Sequence, residues 1–285
     1  MIITSVTISS RFSSPLLLRS NMAITYRNKP TVIMQPVLDF YDFGSGVTAF
    51  STTRQGGYSE GNYGEFNINR YCGDAKEAIA RNRGLLCQTL QIDDDRLLMP
   101  HQVHETEIVA VDGSSCELQL EGVDALLTNV TGLCIGVSTA DCIPVLLYDK
   151  KRRAVSAIHA GWRGTVKRIV EKTVAQMTAV YGSRPSDIIA QIGPGIHVES
   201  FEVGDEVYEA FAAAGFVMET ISRRYGEKWH IDLPECNRQQ LIATGIPEAQ
   251  VSVSPICTYQ HPDLYFSARR LGINSGRIFT GIVLG

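Results

Sequence analysis

A histidine near the end of one apolar stretch and a cysteine at the head of another are the residues of this chain best suited to hold a metal. His159 stands in AIHAGWRG, residues 157–164, where a buried strand runs into a glycine-containing turn. A side chain there leaves the sheet and reaches a cleft. Cys142 stands in TADCIPVLLYD, directly after Asp141 and before an apolar run. A thiolate beside an imidazole is the pairing that zinc or copper selects. Taken singly, each residue also has a blander reading, a hydrogen-bonded core histidine and a buried thiol.

A third element is MPHQVHE, residues 99–105, with His101 and His104 three apart just before a strand. In an extended segment the two point to opposite faces, so one serves a given site and the other is a bystander. Spacing does not choose between them. The turn after His159 offers an anion cradle: Gly161 and Gly164 permit close approach, Arg163 adds a fixed charge, and a helix start presents free N–H groups. The competing reading is a tight strand-to-helix turn with Arg163 on the surface. Two further polar stretches, 51–59 with Arg54 and 257–270 with His261, Arg269 and Arg270, read equally as pocket lining or as a surface turn and a solvated helix end. His197 and His230 lack supporting neighbours and read as structural.

These residues need elements to position them. β-Branched and apolar runs bounded by Gly, Asp or Pro predict strands over 47–53, 106–111, 125–128, 133–138, 143–148, 154–159, 188–192, 251–254 and 277–283. From Thr165, the recurrence of Val166, Ile169, Val170, Thr173, Val174, Met177 and Val180 predicts an amphipathic helix closed by Gly182. Shorter helices are expected over 76–91, 205–214 and 234–244. With no internal repeat and no low-complexity run, the expectation is one mixed α/β domain, a central mixed sheet flanked by helices.

Composition bounds the rest. In 285 residues, 44% are apolar and 20% charged, which excludes a mostly disordered chain. Twenty-six Lys and Arg against 30 Asp and Glu give a net charge of −4, with no basic field for a nucleic acid polymer. The stretch 132–148 is interrupted by Ser138, Thr139, Asp141 and Pro144, too polar and too short to span a bilayer. Seven scattered cysteines without a CxxC pair argue against a disulfide framework or a zinc ribbon and predict a reducing compartment. The first residues match a secretory signal poorly, because no basic group precedes the apolar stretch and Arg11 splits it. Regular strand and turn signals begin near Asp39, so residues 1–38 are expected to be an extension, poorly ordered at its start. Met22 and Met34 are alternative starts.

Taken in order, STTRQGG, HQVH, TADCIPVLLYD, IHAGWRGT, IGPGI and CTYQHPDLYFSARR resemble the polyphenol oxidase or laccase-domain family, of the zinc-dependent purine nucleoside phosphorylase type. The resemblance covers residues 39–285, and the ordered set is far more specific than any one motif. It implies a single α/β domain, a cytoplasmic monomer, and a metal held by His104, Cys142 and His159. It also implies phosphorolysis of adenosine, inosine and 5′-methylthioadenosine, with adenosine deamination alongside. The chain departs from the family pattern after IGP, where His197 stands and cysteines are common, and at His101 and His261.

Three protein ligands with an open fourth position describe a catalytic zinc. The same set holds copper, but six histidines in the whole chain are too few for a multicopper oxidase. For phosphorolysis, Arg54 and Arg163 are expected to neutralise phosphate seated at Gly161–Gly164; for deamination, Asp141 is the expected acid/base partner. The alternatives are a copper-dependent polyphenol oxidoreductase, a hydrolase editing peptidoglycan precursors, as proposed for bacterial relatives, and a non-catalytic metal-binding module.

Overall fold

The computed structural model describes residues 34–285. The expected N-terminal extension lies outside the described residues as far as residue 33. From there, Val37 is already hydrogen-bonded to Gln55 and Thr53, and Leu38 lies opposite Thr52.

Two mixed sheets face one another. The first has β1 (Leu38–Tyr41), β2 (Val47–Thr52), β3 (Leu97–Leu98), β6 (Cys134–Thr139) and β14 (Ile278–Leu284), in the order β1-β2-β14-β6-β3. The second has β4 (Ile108–Ala110), β5 (Ala125–Thr128), β7 (Ile143–Asp149), β8 (Ala154–Ala160), β9 (Ile188–Ile192) and β13 (Val251–Val253), in the order β13-β9-β7-β8-β5-β4. A small third sheet joins β10 (Glu202–Val203), β11 (Ser222–Tyr225) and β12 (Lys228–Ile231).

The central strands of the second sheet, β5, β7 and β8, are buried on both faces because both are covered. In β7, Leu146 points with Leu126, Ala157, Ile135, Val137 and Ile282 into the space between the sheets. Its neighbours Val145 and Leu147 point the other way, onto α3 (Ile169–Tyr181) and α4 (Leu233–Ala243), through Val170, Val174, Met177 and Leu241. The outer face of the first sheet, with Phe50, Cys134 and Phe279, is closed by Leu86 and Cys87 of α1 (Lys76–Leu90). The result is a four-layer stack of helix, sheet, sheet and helices. The expected fold class holds, but two sheets replace the single central one. Strands apolar on both faces do not reveal in sequence which sheet they join.

The predicted helix from Thr165 to Gly182 is two pieces. The short α2 (Trp162–Val166) ends at Lys167, and Arg168 takes a left-handed φ of 63° before α3 begins. Tertiary contacts hold that residue: its guanidinium bonds the Ala214 carbonyl at 2.6 Å and lies over the Phe216 ring. Apolar periodicity runs through the break without registering it. Among the described residues no helix is long and apolar enough to cross a membrane.

Gly136 lies where β6 meets β14. A Cβ there would fall on the buried Phe279 ring and 2.8 Å from the Thr280 carbonyl. Gly136→Ala is therefore expected to destabilise the protein by about 1–3 kcal/mol through overpacking, read as a lower denaturant midpoint with an unchanged slope.

Candidate metal centre

One end of the second sheet gathers the chemistry. β7 and β8 are antiparallel with Pro144 opposite His159 and Ile143 opposite Ala160, so the turn entering β7 lies beside the end of β8. β5 pairs the other side of β8 with Ala125 opposite Ile158, which brings Asp124 beside His159. β4 runs parallel to β5, and the loop leading into it carries His104. Three stretches far apart in sequence thus meet at one place.

The donor atoms of His104, Cys142 and His159 all lie within 4.8 Å of one another. The two imidazoles stand edge to face, 4.7 Å between centroids. His159 is buried, Cys142 half-buried and His104 exposed, so the group opens on the His104 side. Gly161 packs against it: a Cβ there would lie 3.1 Å from His104 Cδ2 and 3.2 Å from Cys142 Sγ. Two imidazoles, a thiolate and a backbone kept clear of them fit a metal ion with three protein ligands.

Asp124 orients this group, and sequence reasoning missed it. Fully buried, its Oδ1 accepts from His159 Nδ1 at 2.7 Å and from the His104 N–H at 3.0 Å. Its Oδ2 accepts the N–H groups of Glu105 at 2.8 Å and Val103 at 3.3 Å. The carboxylate therefore keeps a proton on His159 Nδ1, which leaves Nε2 for a metal. It also holds the His104 backbone at a φ of 65°, a conformation costly for a residue with a Cβ. The only sequence signal was an aspartate immediately before the apolar strand ALLT.

Electrostatics follow from the geometry. Burial alone would raise the Asp124 carboxyl, but His159 and the N–H groups of Glu105 and Val103 hold it below the usual carboxylate range. Burial would also raise the Cys142 thiol; the charge of His159 and hydrogen bonds from both histidines outweigh that and bring it down to about 6. Burial would lower His159, yet the Cys142 thiolate and Asp124 raise it to about 9. At neutral pH the metal-free pair is a thiolate and an imidazolium.

The group opens into a cleft of about 370 Å³ bordered by Tyr71, Cys72, His101, Gln102, Ala268, Ile273 and Arg277. Several expected site residues are placed elsewhere. Asp141 does not border the cleft. Its Oδ1 accepts from Thr258 Oγ1 at 2.8 Å, and its Oδ2 from Ser267 Oγ at 3.1 Å and the Arg269 N–H at 2.7 Å. That carboxylate is committed to anchoring the strained turn before Cys142, where Asp141 has a φ of 86°. Arg54 donates to the carbonyls of Gly64 at 2.8 Å and Pro262 at 2.6 Å, tying the 51–59 and 257–270 segments together away from the cleft. Arg163 is exposed and lies over the Trp162 ring. The helix that starts at Trp162 is only five residues long, so its dipole is small, and Gly164 packs against the Glu105 carbonyl. Arg277, unremarked in the sequence, is the arginine that borders the cleft, and His101 borders it as well.

Two outcomes follow. Between about pH 6 and pH 9 a metal must displace the proton of His159, so its affinity is expected to rise about tenfold per pH unit, with one proton released into weak buffer on binding. Below about pH 6 the Cys142 thiol is protonated too, and affinity falls more steeply. Asp124→Asn, which loses an acceptor for the 103–105 loop, should weaken metal retention about 10–100-fold in chelator competition.

The chain's relatives share this architecture. A family model described as multi-copper polyphenol oxidoreductase laccase matches residues 48–285. A purine nucleoside phosphorylase of Bacteroides thetaiotaomicron is 51% identical over 249 residues, 84% of this chain and 92% of that protein. A protein from an unknown prokaryotic organism, named adenosine deaminase RL5, is 43% identical, covering 86% of this chain and 97% of its own length. The crystal structure of the Bacillus licheniformis hypothetical protein YfiH aligns with a TM-score of 0.84 at 31% identity, covering 88% of this chain and 97% of that one. This chain belongs to the multi-copper polyphenol oxidoreductase laccase family.

Proposed function

We propose that this protein is a zinc-dependent purine nucleoside phosphorylase, converting adenosine, inosine and 5′-methylthioadenosine with phosphate to free base and sugar 1-phosphate, and deaminating adenosine alongside. The observation that carries the reading is a two-histidine, one-cysteine group opening onto a cleft of about 370 Å³ that Arg277 also borders. That size suits a small-molecule site, about 300–1,000 Å³. The activities that name its relatives support it. Among the described residues there is one such metal-ligating group, whereas oxidation by several coppers needs several imidazole-rich sites. Seven free cysteines suit a reducing, cytoplasmic setting.

A metal held by His104, Cys142 and His159 supplies a Lewis acid beside the cleft. Arg277 takes the phosphate-binding task first expected of Arg54 and Arg163. Its guanidinium is held by the carbonyls of Ser275 at 2.6 Å, Ile273 at 2.8 Å and Gly276 at 2.9 Å, so little freedom is lost when an anion binds. Gln102 bridges Ser138 twice, accepting its N–H and donating to its carbonyl, both at 2.8 Å, which stiffens one wall. Tyr71 and Ile273 give the rim apolar surface against which a purine ring packs.

The test is base release from inosine or adenosine by purified, zinc-loaded protein. Release is expected to require phosphate and to vanish with zinc in His104→Ala. Arg277→Ala should raise the KM for phosphate roughly 10–100-fold, the worth of a hydrogen bond to a charged group. Release without phosphate, or full turnover by the metal-free variant, would contradict the reading.

A further inference from the structure

Departure of a purine leaves electrons on its imidazole ring, and a proton delivered there makes the base a far better leaving group. Asp141, the residue expected to do acid/base work in deamination, is committed elsewhere. Apart from the metal-ligating group, the titratable side chains bordering the cleft are Tyr71, Cys72, His101 and Arg277. Burial raises the Tyr71 phenol and the Cys72 thiol, and an arginine keeps its proton. A histidine is the remaining type, one that exchanges a proton readily near neutrality.

The geometry of His101 is over-determined in a way a bystander does not need. Its Nδ1 lies 2.6 Å from Glu121 Oε1, and its ring stacks on Tyr71 with 4.0 Å between centroids and 17° between planes. Its N–H donates to the Leu120 carbonyl at 3.0 Å, and its own carbonyl accepts the Gly122 N–H at 2.9 Å. The groups facing the ring are thus Glu121 and Tyr71, with the Arg70–Glu117 ion pair behind Tyr71. Among the described residues Nε2 has no hydrogen-bond partner, so it is the nitrogen free to serve a ligand in the cleft. The pairing repeats, three residues along, the contact between Asp124 and the metal-binding histidines: the segment 120–124 supplies a carboxylate to each end of the HQVH stretch.

We propose that His101 is the general acid of this cleft and Glu121 its positioning residue. The inference rests on the phosphorylase reading. A phosphate oxygen forms a bond to the anomeric carbon of the ribose while the bond from that carbon to N9 breaks. Its electron pair passes into the imidazole ring of the purine, and the proton on His101 Nε2 transfers to N7. The proton of hydrogen phosphate, released as the sugar phosphate forms, returns through solvent to His101. Glu121 stabilises the protonated ring and fixes which nitrogen faces the substrate.

The experiment compares the zinc-loaded wild type with His101→Gln on two nucleosides. With inosine, kcat should fall about 10²–10⁴-fold at unchanged zinc content, and the alkaline limb of the pH profile should flatten. With 7-methylguanosine, whose base departs as a neutral molecule and needs no proton, the loss should be far smaller. Glu121→Gln should reduce kcat on inosine by less than His101→Gln and leave KM unchanged. Equal losses on both nucleosides would show a merely structural role, and no loss on inosine would overturn the assignment outright. If wild type rejects the methylated nucleoside, rescue of His101→Ala by added imidazole decides the same question, recovery supporting the assignment and its absence overturning it. An inert wild type removes the phosphorylase reading and this assignment together; an active wild type with an unaffected variant removes the assignment alone.

Discussion

The carboxylate of Asp124 is the contact on which the rest of the site depends. A fully buried charge is costly unless its acceptor positions are filled, and here three backbone N–H groups and one imidazole fill them. The arrangement constrains both sides. The 103–105 loop must curl over the end of β5 to supply its N–H groups, which turns His104 toward His159. The His159 ring must present Nδ1 to Asp124, which aims its other nitrogen at Cys142 and the cleft. An interaction that looks like simple satisfaction of a buried acid therefore sets the positions of two of the three side chains proposed to hold a metal.

Around it the fold supplies rigidity at the points where the backbone is least comfortable. His104 and Asp141 both take left-handed conformations, and each is held by a carboxylate, Asp124 in one case and Asp141's own in the other. The IGPGI turn closes on the second point, since a Cβ on Gly195 would lie 3.1 Å from the Asp141 carbonyl and 3.3 Å from that of Cys142. The C-terminal CTYQHPDLYFSARR segment completes the support through Thr258, Ser267 and Arg269. Its polar residues, which read in sequence equally as pocket lining or a solvated helix end, here stop the Cys142 turn from relaxing.

Much of the scaffold was legible in the chain because its strands are bounded by strong turn residues and its helices by apolar periodicity. Strands 125–128 and 188–192 stand where they were expected. The break at Arg168 was not legible, because it is maintained by Ala214 and Phe216, 46 and 48 residues away. Nor was the third sheet, whose strand SRRY is too charged and exposed, and whose strand KWHI is too short, to show alternation. In the site, His159 and Cys142 were visible through their neighbours, while Asp124 was not, since its meaning lies in the loop it receives. Arg54 and Arg163 drew attention by standing in glycine-rich turns. Arg277 did not, because only the sheet order places the start of β14 beside the cleft.

The central claim is that one metal is held by His104, Cys142 and His159. X-ray absorption at the metal edge of the purified, metal-loaded protein tests it most directly. The expected shell holds one sulfur at about 2.3 Å and two imidazole nitrogens at about 2.0–2.1 Å, with the sulfur lost in Cys142→Ser. A shell without sulfur, or one unchanged by that substitution, would contradict it.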